Sequence, residues 1–293
     1  LRQADGLLLG GGGLLQNRTS NRSLVYYLGL ITLGRIARRP VFLLGQGIGP
    51  ITGRPMRAIT RAILARAAYI GCRDEESVHL ARALGARASL DGDLFFLFPP
   101  LPKAPLPQED GKRRIALSLN GLRGDKMMLE SVVEALAELS VKEALSVGLL
   151  PFFPVQDMAF ADRLAKRLAE RLATHEPRLS SRIVQADTVE QGMSEIAQAD
   201  LVISSRLHPL EFALRAGTPM IAIRDDAKVA NFVAEVERNN GPRIPCVDFP
   251  TSSLVNEMLA SPPETSGLQE AYARMHRQAQ AALARVAGLW ESA

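Results

Sequence analysis

The chain has 293 residues, of which 47% are hydrophobic and 23% charged, with a formal net charge of +4. That balance belongs to a globular protein with a sizeable core and excludes a collagenous or disordered chain. At roughly 150 residues per domain, the length predicts two domains.

Short apolar runs alternate with longer amphipathic segments, the pattern of βα units around a mainly parallel sheet. Strands are predicted at residues 6–9, 41–45 and 69–72, with helices at 23–38, 57–67 and 76–84. Residues 91–98 then lead into a stretch carrying Pro99, Pro100, Pro102, Pro105 and Pro107. Five prolines so close cannot sit inside a helix or a central strand. The expected organisation is an N-terminal domain at 1–98, a linker at 99–111, a C-terminal domain at 112–262 and a helical tail at 263–293.

Beyond the linker the alternation restarts. Strands are predicted at 114–119, 144–151, 182–185, 201–204 and 220–223, and helices at 127–139, 157–173, 189–197, 209–216 and 269–290. The fold class is therefore α/β, with two open parallel-sheet domains in tandem. Such sheets bind ligand beyond the carboxyl ends of their strands, so a cleft between the domains is the expected site.

Six of the 35 basic residues are lysines and 29 are arginines. The arginines lie mostly in helical patterns interleaved with acidic residues, which speaks against a nucleic-acid surface. The longest uncharged apolar run, residues 23–34, falls short of the ~18 residues needed to span a bilayer, so no integral membrane segment is expected. Cys72 and Cys246 lack CxxC or His-rich spacing, which points to neither a zinc site nor a disulfide framework and fits a reducing compartment. The sequence opens at Leu1 without a methionine or a leader pattern, and part of the first βα unit is expected to be missing.

Five segments at predicted strand ends can carry chemistry. In Gly10-Gly11-Gly12-Gly13-Leu14-Leu15-Gln16, glycines let backbone N–H groups approach an anion or a sugar; a tight turn is the equal alternative. Gln46-Gly47-Ile48-Gly49-Pro50 divides the same way between ligand loop and Gly-Pro turn. Arg73 can clamp a carboxylate or phosphate, whereas Asp74 reads as the cap of the next helix. In Ser204-Ser205-Arg206-Leu207-His208-Pro209 a permanent cation and a titratable imidazole stand just before a proline at a helix start. His208 is the single histidine at a predicted strand end: His79 and His276 fall in helical patterns and His175 in a polar loop. Arg224-Asp225-Asp226-Ala227-Lys228-Val229 follows the next strand, as a ligand-facing loop or a solvated turn.

In this order, Gly11–Gln16, Gln46–Pro50, Arg73-Asp74 with Ser77, Arg206-Leu207-His208 and Asp226–Val229 resemble the polysaccharide pyruvyltransferase family, in particular its CsaB-like branch. The resemblance implies two Rossmann-like domains similar to GT-B glycosyltransferases. It implies transfer of pyruvate from phosphoenolpyruvate onto two hydroxyls of a sugar as a cyclic ketal. The implied acceptor is an N-acetylmannosamine unit of a lipid-linked secondary cell-wall polymer precursor at the cytoplasmic face of the membrane, with peripheral membrane contact, and the ketal serves S-layer anchoring.

On that resemblance, His208 is the general acid that protonates the enol phosphate carbon, and Arg206 acts beside it. Arg73 and Lys228 are further cations, while Gly12, Gly13, Gln46, Ser205 and Asp226 bind substrate. No cofactor or metal is needed. Replacing His208 or Arg206 with alanine is expected to abolish transfer and leave the thermal melt nearly unchanged. The sequence departs from the family where Ser-aliphatic-Arg becomes Ser118-Leu119-Asn120, with Arg123 as the candidate substitute, and where Tyr-Asp-Pro-Lys becomes Arg224 or Asp225 followed by Asp226-Ala227-Lys228. The competing readings are a GT-B nucleotide-sugar glycosyltransferase and a non-catalytic glycan-binding protein.

Overall fold

The computed structural model describes residues 3–18, 20–101, 111–120, 125–172 and 178–292. Most of the predicted linker, together with Arg123 and His175, lies outside the described residues. The chain forms two compact units, one of Leu1–Pro99 with Arg274–Ala293 and one of Pro100–Ala273.

The first unit carries a four-stranded parallel sheet of β1 (Leu7–Gly10), β2 (Val41–Gln46), β3 (Tyr69–Cys72) and β4 (Ser89–Leu90), paired in that order. Helices α1 (Asn21–Ile36), α2 (Arg54–Leu64) and α3 (Glu75–Ala83) connect them. Every residue of β2 is buried, as expected of a strand covered on both faces, which reads as a continuous apolar run. One face packs Val41, Leu43, Ile70 and Cys72 against Leu24, Leu28 and Ile31 of α1 and Val78 and Ala81 of α3. The other face packs Phe42 and Leu44 against Ala282, Val286 and Trp290. Those last residues belong to the terminal helix, α10 (Thr265–Glu291). The stretch read as a separate tail is thus divided: residues up to Ala273 pack with the second unit and those from Arg274 with the first.

The second unit carries a six-stranded parallel sheet of β5 (Arg113–Ser118), β6 (Leu145–Leu149), β7 (Leu179–Ile183), β8 (Leu201–Ser204), β9 (Met220–Ile223) and β10 (Cys246–Val247). Its spatial order is β10-β9-β8-β5-β6-β7. This is the doubly wound order, in which successive connections run outward in both directions from the β5/β8 pair. Helices α4 (Asp125–Ser140), α5 (Pro154–Leu172), α6 (Val189–Ala197), α7 (Leu207–Ala216), α8 (Ala227–Arg238) and α9 (Ser252–Ala260) complete it. The core runs through Ile115, Leu117, Val147, Leu149, Leu201 and Ile203 to Val132, Leu136, Phe160 and Leu164.

Several boundaries differ from expectation for local reasons. The predicted 182–185 strand lies earlier, at Leu179–Ile183, because β7 alternates buried and open positions rather than forming an apolar run. Helix α7 begins at Leu207 rather than at Pro209, which occupies the third helical position; the missing N–H costs nothing there, since the first-turn donors have no intrahelical acceptor. The α8, β10 and α9 elements were not anticipated, although Val229, Phe232, Val233 and Val236 of α8 are buried at helical spacing. Among the described residues, no helix is long and apolar enough to cross a membrane.

Candidate functional site

In the second unit the point where strand order reverses lies between the carboxyl ends of β5 and β8, the place where doubly wound sheets leave a crevice. The two strand ends are stitched together by polar groups. Ser204 Oγ donates to the Ser118 carbonyl at 2.9 Å and accepts from the Arg206 N–H at 2.9 Å. Ser205 Oγ accepts from the Asn120 N–H at 2.7 Å. Ser205, expected to touch substrate, is thus buried and occupied as a brace between strands. Asn120 Nδ2 donates to Asp225 Oδ2 at 2.8 Å, tying the end of β5 to the loop after β9. The position where a cation was expected holds a neutral amide committed to a carboxylate.

Arg206 caps α7 without a side-chain hydrogen bond to its first turn. Its guanidinium reaches instead to the start of α5, where it pairs with Asp157 Oδ1 and donates to Gln156 Oε1 at 3.0 Å. Its Cζ lies 4.8 Å from the centroid of the Phe153 ring. Asp157 is 1% exposed, and its second oxygen accepts the Phe153 N–H at 2.9 Å. Arg206 Nε is buried and has no acceptor among the described residues. The expected free cation is therefore a clamped donor whose charge is paired.

His208 is exposed in the first turn of α7, and Phe152 stacks on it with ring centroids 6.1 Å apart and planes inclined by 18°. Asp226 caps α8, accepting the Lys228 N–H at 3.2 Å, and Lys228 is exposed in the first turn of that helix. Since β9 pairs with β8 in register, Asp226 and Lys228 stand at the same sheet edge as Arg206 and His208. Sequence reasoning missed Phe152, Phe153, Gln156 and Asp157. The available signal was a carboxylate four residues after Phe153 at a proline-initiated helix.

The first unit gathers a second set at its own carboxyl edge. The two Gly-rich segments run side by side: Gly47 N–H donates to the Gly12 carbonyl at 2.8 Å, Gly49 N–H to the Leu15 carbonyl at 2.8 Å, and Leu15 bridges Ile48. Gly11 and Gly12 have φ of +68° and +73°, a region that side chains with a Cβ enter at a cost of about 1–2 kcal/mol. Gln46 is fully buried, its Nε2 donating to the carbonyls of Leu9 at 3.0 Å and Gly11 at 3.2 Å. It braces the glycine loop, while its Oε1 has no partner among the described residues. A Cβ on Gly47 would lie 2.9 Å from an Arg73 guanidinium nitrogen and 3.1 Å from Gly13 Cα. Gly13, Gly47 and Arg73 are thus brought together, with the guanidinium laid across glycine backbone.

Arg73 also pairs with Asp74 at 3.4 Å and Asp93 at 3.5 Å. Asp74 caps α3 through the Ser77 N–H at 2.8 Å, and Ser77 Oγ in turn accepts the Ile48 N–H at 2.9 Å. Burial pushes the Cys72 thiol up to about 12, so the thiol stays protonated and is not a nucleophile here.

Behind this edge, Tyr69 Oη donates to Asp91 Oδ1 at 2.8 Å and accepts from Arg285 at 3.2 Å, with Ser89 Oγ 3.0 Å from the same carboxylate oxygen. Asp91 is buried, and its other oxygen has no partner among the described residues. Burial is the main cause that raises its carboxyl above the ordinary range, against the lowering effect of the Tyr69 and Ser89 hydrogen bonds. A raised acid binds its proton more tightly folded than unfolded, so its stabilising contribution is full below the unfolded pKa, near ~3.9, and is lost as pH rises through the folded value. Asp91→Asn is expected to abolish that decline in a series of chemical denaturations from about pH 4 upward; an unchanged slope would assign the decline elsewhere.

The comparisons with known proteins bear on fold and family separately. HepE of Anabaena, solved in complex with UDP, aligns with a TM-score of 0.59 at 15% identity over 91% of this chain and 76% of its own. UDP-GlcNAc 2-epimerase from Neisseria meningitidis aligns at 0.56 and 13% identity over 99% and 76%, and MurG of Acinetobacter baumannii at 0.56 and 14% over 99% and 74%. At such identities the likeness speaks for the fold, two Rossmann-like units of the GT-B kind. None of the curated protein sequences compared with the chain matches it. The family profile described as Polysaccharide pyruvyl transferase matches residues 2–226. That span takes in the glycine loop, Arg73 and the Arg206–His208 edge and stops two residues before Lys228. The chain belongs to the polysaccharide pyruvyl transferase family.

Proposed function

We propose that the protein transfers pyruvate from phosphoenolpyruvate to two hydroxyls of a sugar, forming a cyclic ketal and releasing phosphate. The observation that carries this reading is the pairing of Arg206 with His208 at the reversal point of a doubly wound sheet, in a chain of this family. His208 delivers a proton to the methylene carbon of the enol phosphate. Positive charge then builds at the adjacent carbon, one sugar hydroxyl adds there, and the C–O bond to phosphate breaks. The second hydroxyl closes the ketal, and of the two hydroxyl protons one restores the imidazolium while the other leaves with phosphate. Proton transfer of this kind contributes ~10²–10⁴-fold.

Arg206 supplies oriented donors to the anionic donor substrate, and Lys228 supplies charge at the same edge. On the first unit, Arg73 is a further substrate-binding cation, and Gly12 and Gly13 allow the backbone to approach ligand closely. The reaction draws on no cofactor. The resemblance to the CsaB-like branch supports N-acetylmannosamine of a lipid-linked cell-wall precursor as acceptor, reached at the cytoplasmic membrane face, with the product used in S-layer anchoring.

The test is incubation of the purified protein with phosphoenolpyruvate and an N-acetylmannosaminyl lipid-linked disaccharide analogue. The expected result is phosphate release with a product heavier by one pyruvyl ketal. UDP and UDP-GlcNAc are the ligands of the HepE and epimerase structures, so UDP-sugars form the second arm; turnover confined to that arm overturns the reading. No turnover, with glycan binding retained, favours a non-catalytic glycan-binding protein.

A further inference from the structure

One turn of chain, Phe152–Asp157, holds both residues on which the proposed chemistry depends. Phe152 stacks on His208, while Phe153, Gln156 and Asp157 all engage the Arg206 guanidinium. We propose that Asp157 is the positioning residue of this edge, fixing the Arg206 guanidinium in a preorganised pose for anion recognition. The claim about anion recognition rests on the pyruvyl transfer reading; the claim about positioning does not.

Asp157 has both oxygens committed: Oδ2 to the Phe153 N–H, which ties it to the entry of α5, and Oδ1 to Arg206. Its location is therefore set by backbone, and Arg206 inherits that location. At the other end of the residue, the Arg206 N–H is held by Ser204 Oγ. A long side chain anchored at backbone, ring face, amide and carboxylate loses its rotamer freedom before ligand arrives, and that loss is then not charged against binding.

The test is a double-mutant cycle on kcat/KM for phosphoenolpyruvate, built from Asp157→Asn and Arg206→Lys. Asp157→Asn is expected to lower kcat/KM about a hundredfold, the scale of an ångström-sized misplacement. In the Arg206→Lys background the same change is expected to cost less than about twofold, since coupled residues are not additive. Equal losses in both backgrounds overturn the proposal. If Asp157→Asn fails to fold, the exposed Gln156→Leu takes its place, with an expected loss of about fivefold against none in the Arg206→Lys background.

A readout independent of turnover is the Arg206 Nε–H NMR signal, assigned by its disappearance in Arg206→Lys. Slow exchange in the native protein, lost in Asp157→Asn or weakened in Gln156→Leu at unchanged melting temperature, supports positioning; an unchanged signal overturns it. Should the native protein release no phosphate from phosphoenolpyruvate, the pyruvyl transfer reading falls and this signal alone decides the role of Asp157.

Discussion

Replacing His208 with alanine is expected to reduce phosphate release from phosphoenolpyruvate by about 10²–10⁴-fold, the range that a positioned proton donor contributes, while the thermal melt stays within a degree or so of the native one. The stability half of the expectation follows from place. His208 is exposed in the first turn of α7, and the neighbouring Pro209, Leu210 and Glu211 carry the buried packing of that turn. The stacking on Phe152 is lost. Retained turnover in the variant removes His208 from the mechanism, and a collapsed melt assigns it to the fold instead.

Arg206→Ala is expected to differ in kind. From the sequence alone this variant, too, should keep its melting temperature. The ion pair with Asp157 changes that, because alanine would leave a carboxylate that is 1% exposed without its cation. Removing one partner of a buried pair costs about 3–5 kcal/mol, most of it the desolvated charge left behind. Chemical denaturation should register that loss alongside the loss of activity. The double variant Arg206→Ala/Asp157→Ala should recover part of the stability and none of the activity. A double variant no more stable than Arg206→Ala would mean that the carboxylate is not the source of the cost.

The ordering of strands and helices was open to sequence reasoning because parallel strands covered on both faces print themselves as apolar runs. Tyr69–Cys72, Leu201–Ser204 and Met220–Ile223 are such strands, and they lie where expected. β10, two residues long, prints nothing. The glycine segments, Arg73 and the Arg206–His208 pair stood out as candidates because strand ends are where this class of sheet meets ligand. What each side chain does there was not legible. Gln46 and Ser205 look like ligand groups in the sequence but hold strand ends together in the fold. Asp157 looks like an ordinary first-turn acid, and only a partner 49 residues away gives it a role.

The division of α10 between the two units has a consequence for biosynthesis. A protein emerges from the ribosome N-terminus first, and domains generally fold as they appear. Here Phe42 and Leu44 leave the ribosome before the second unit, but Ala282 and Val286, which cover them, follow that unit in the chain. One face of the first sheet therefore stays bare throughout translation of the second unit, and the first unit completes its core only after the second has been made.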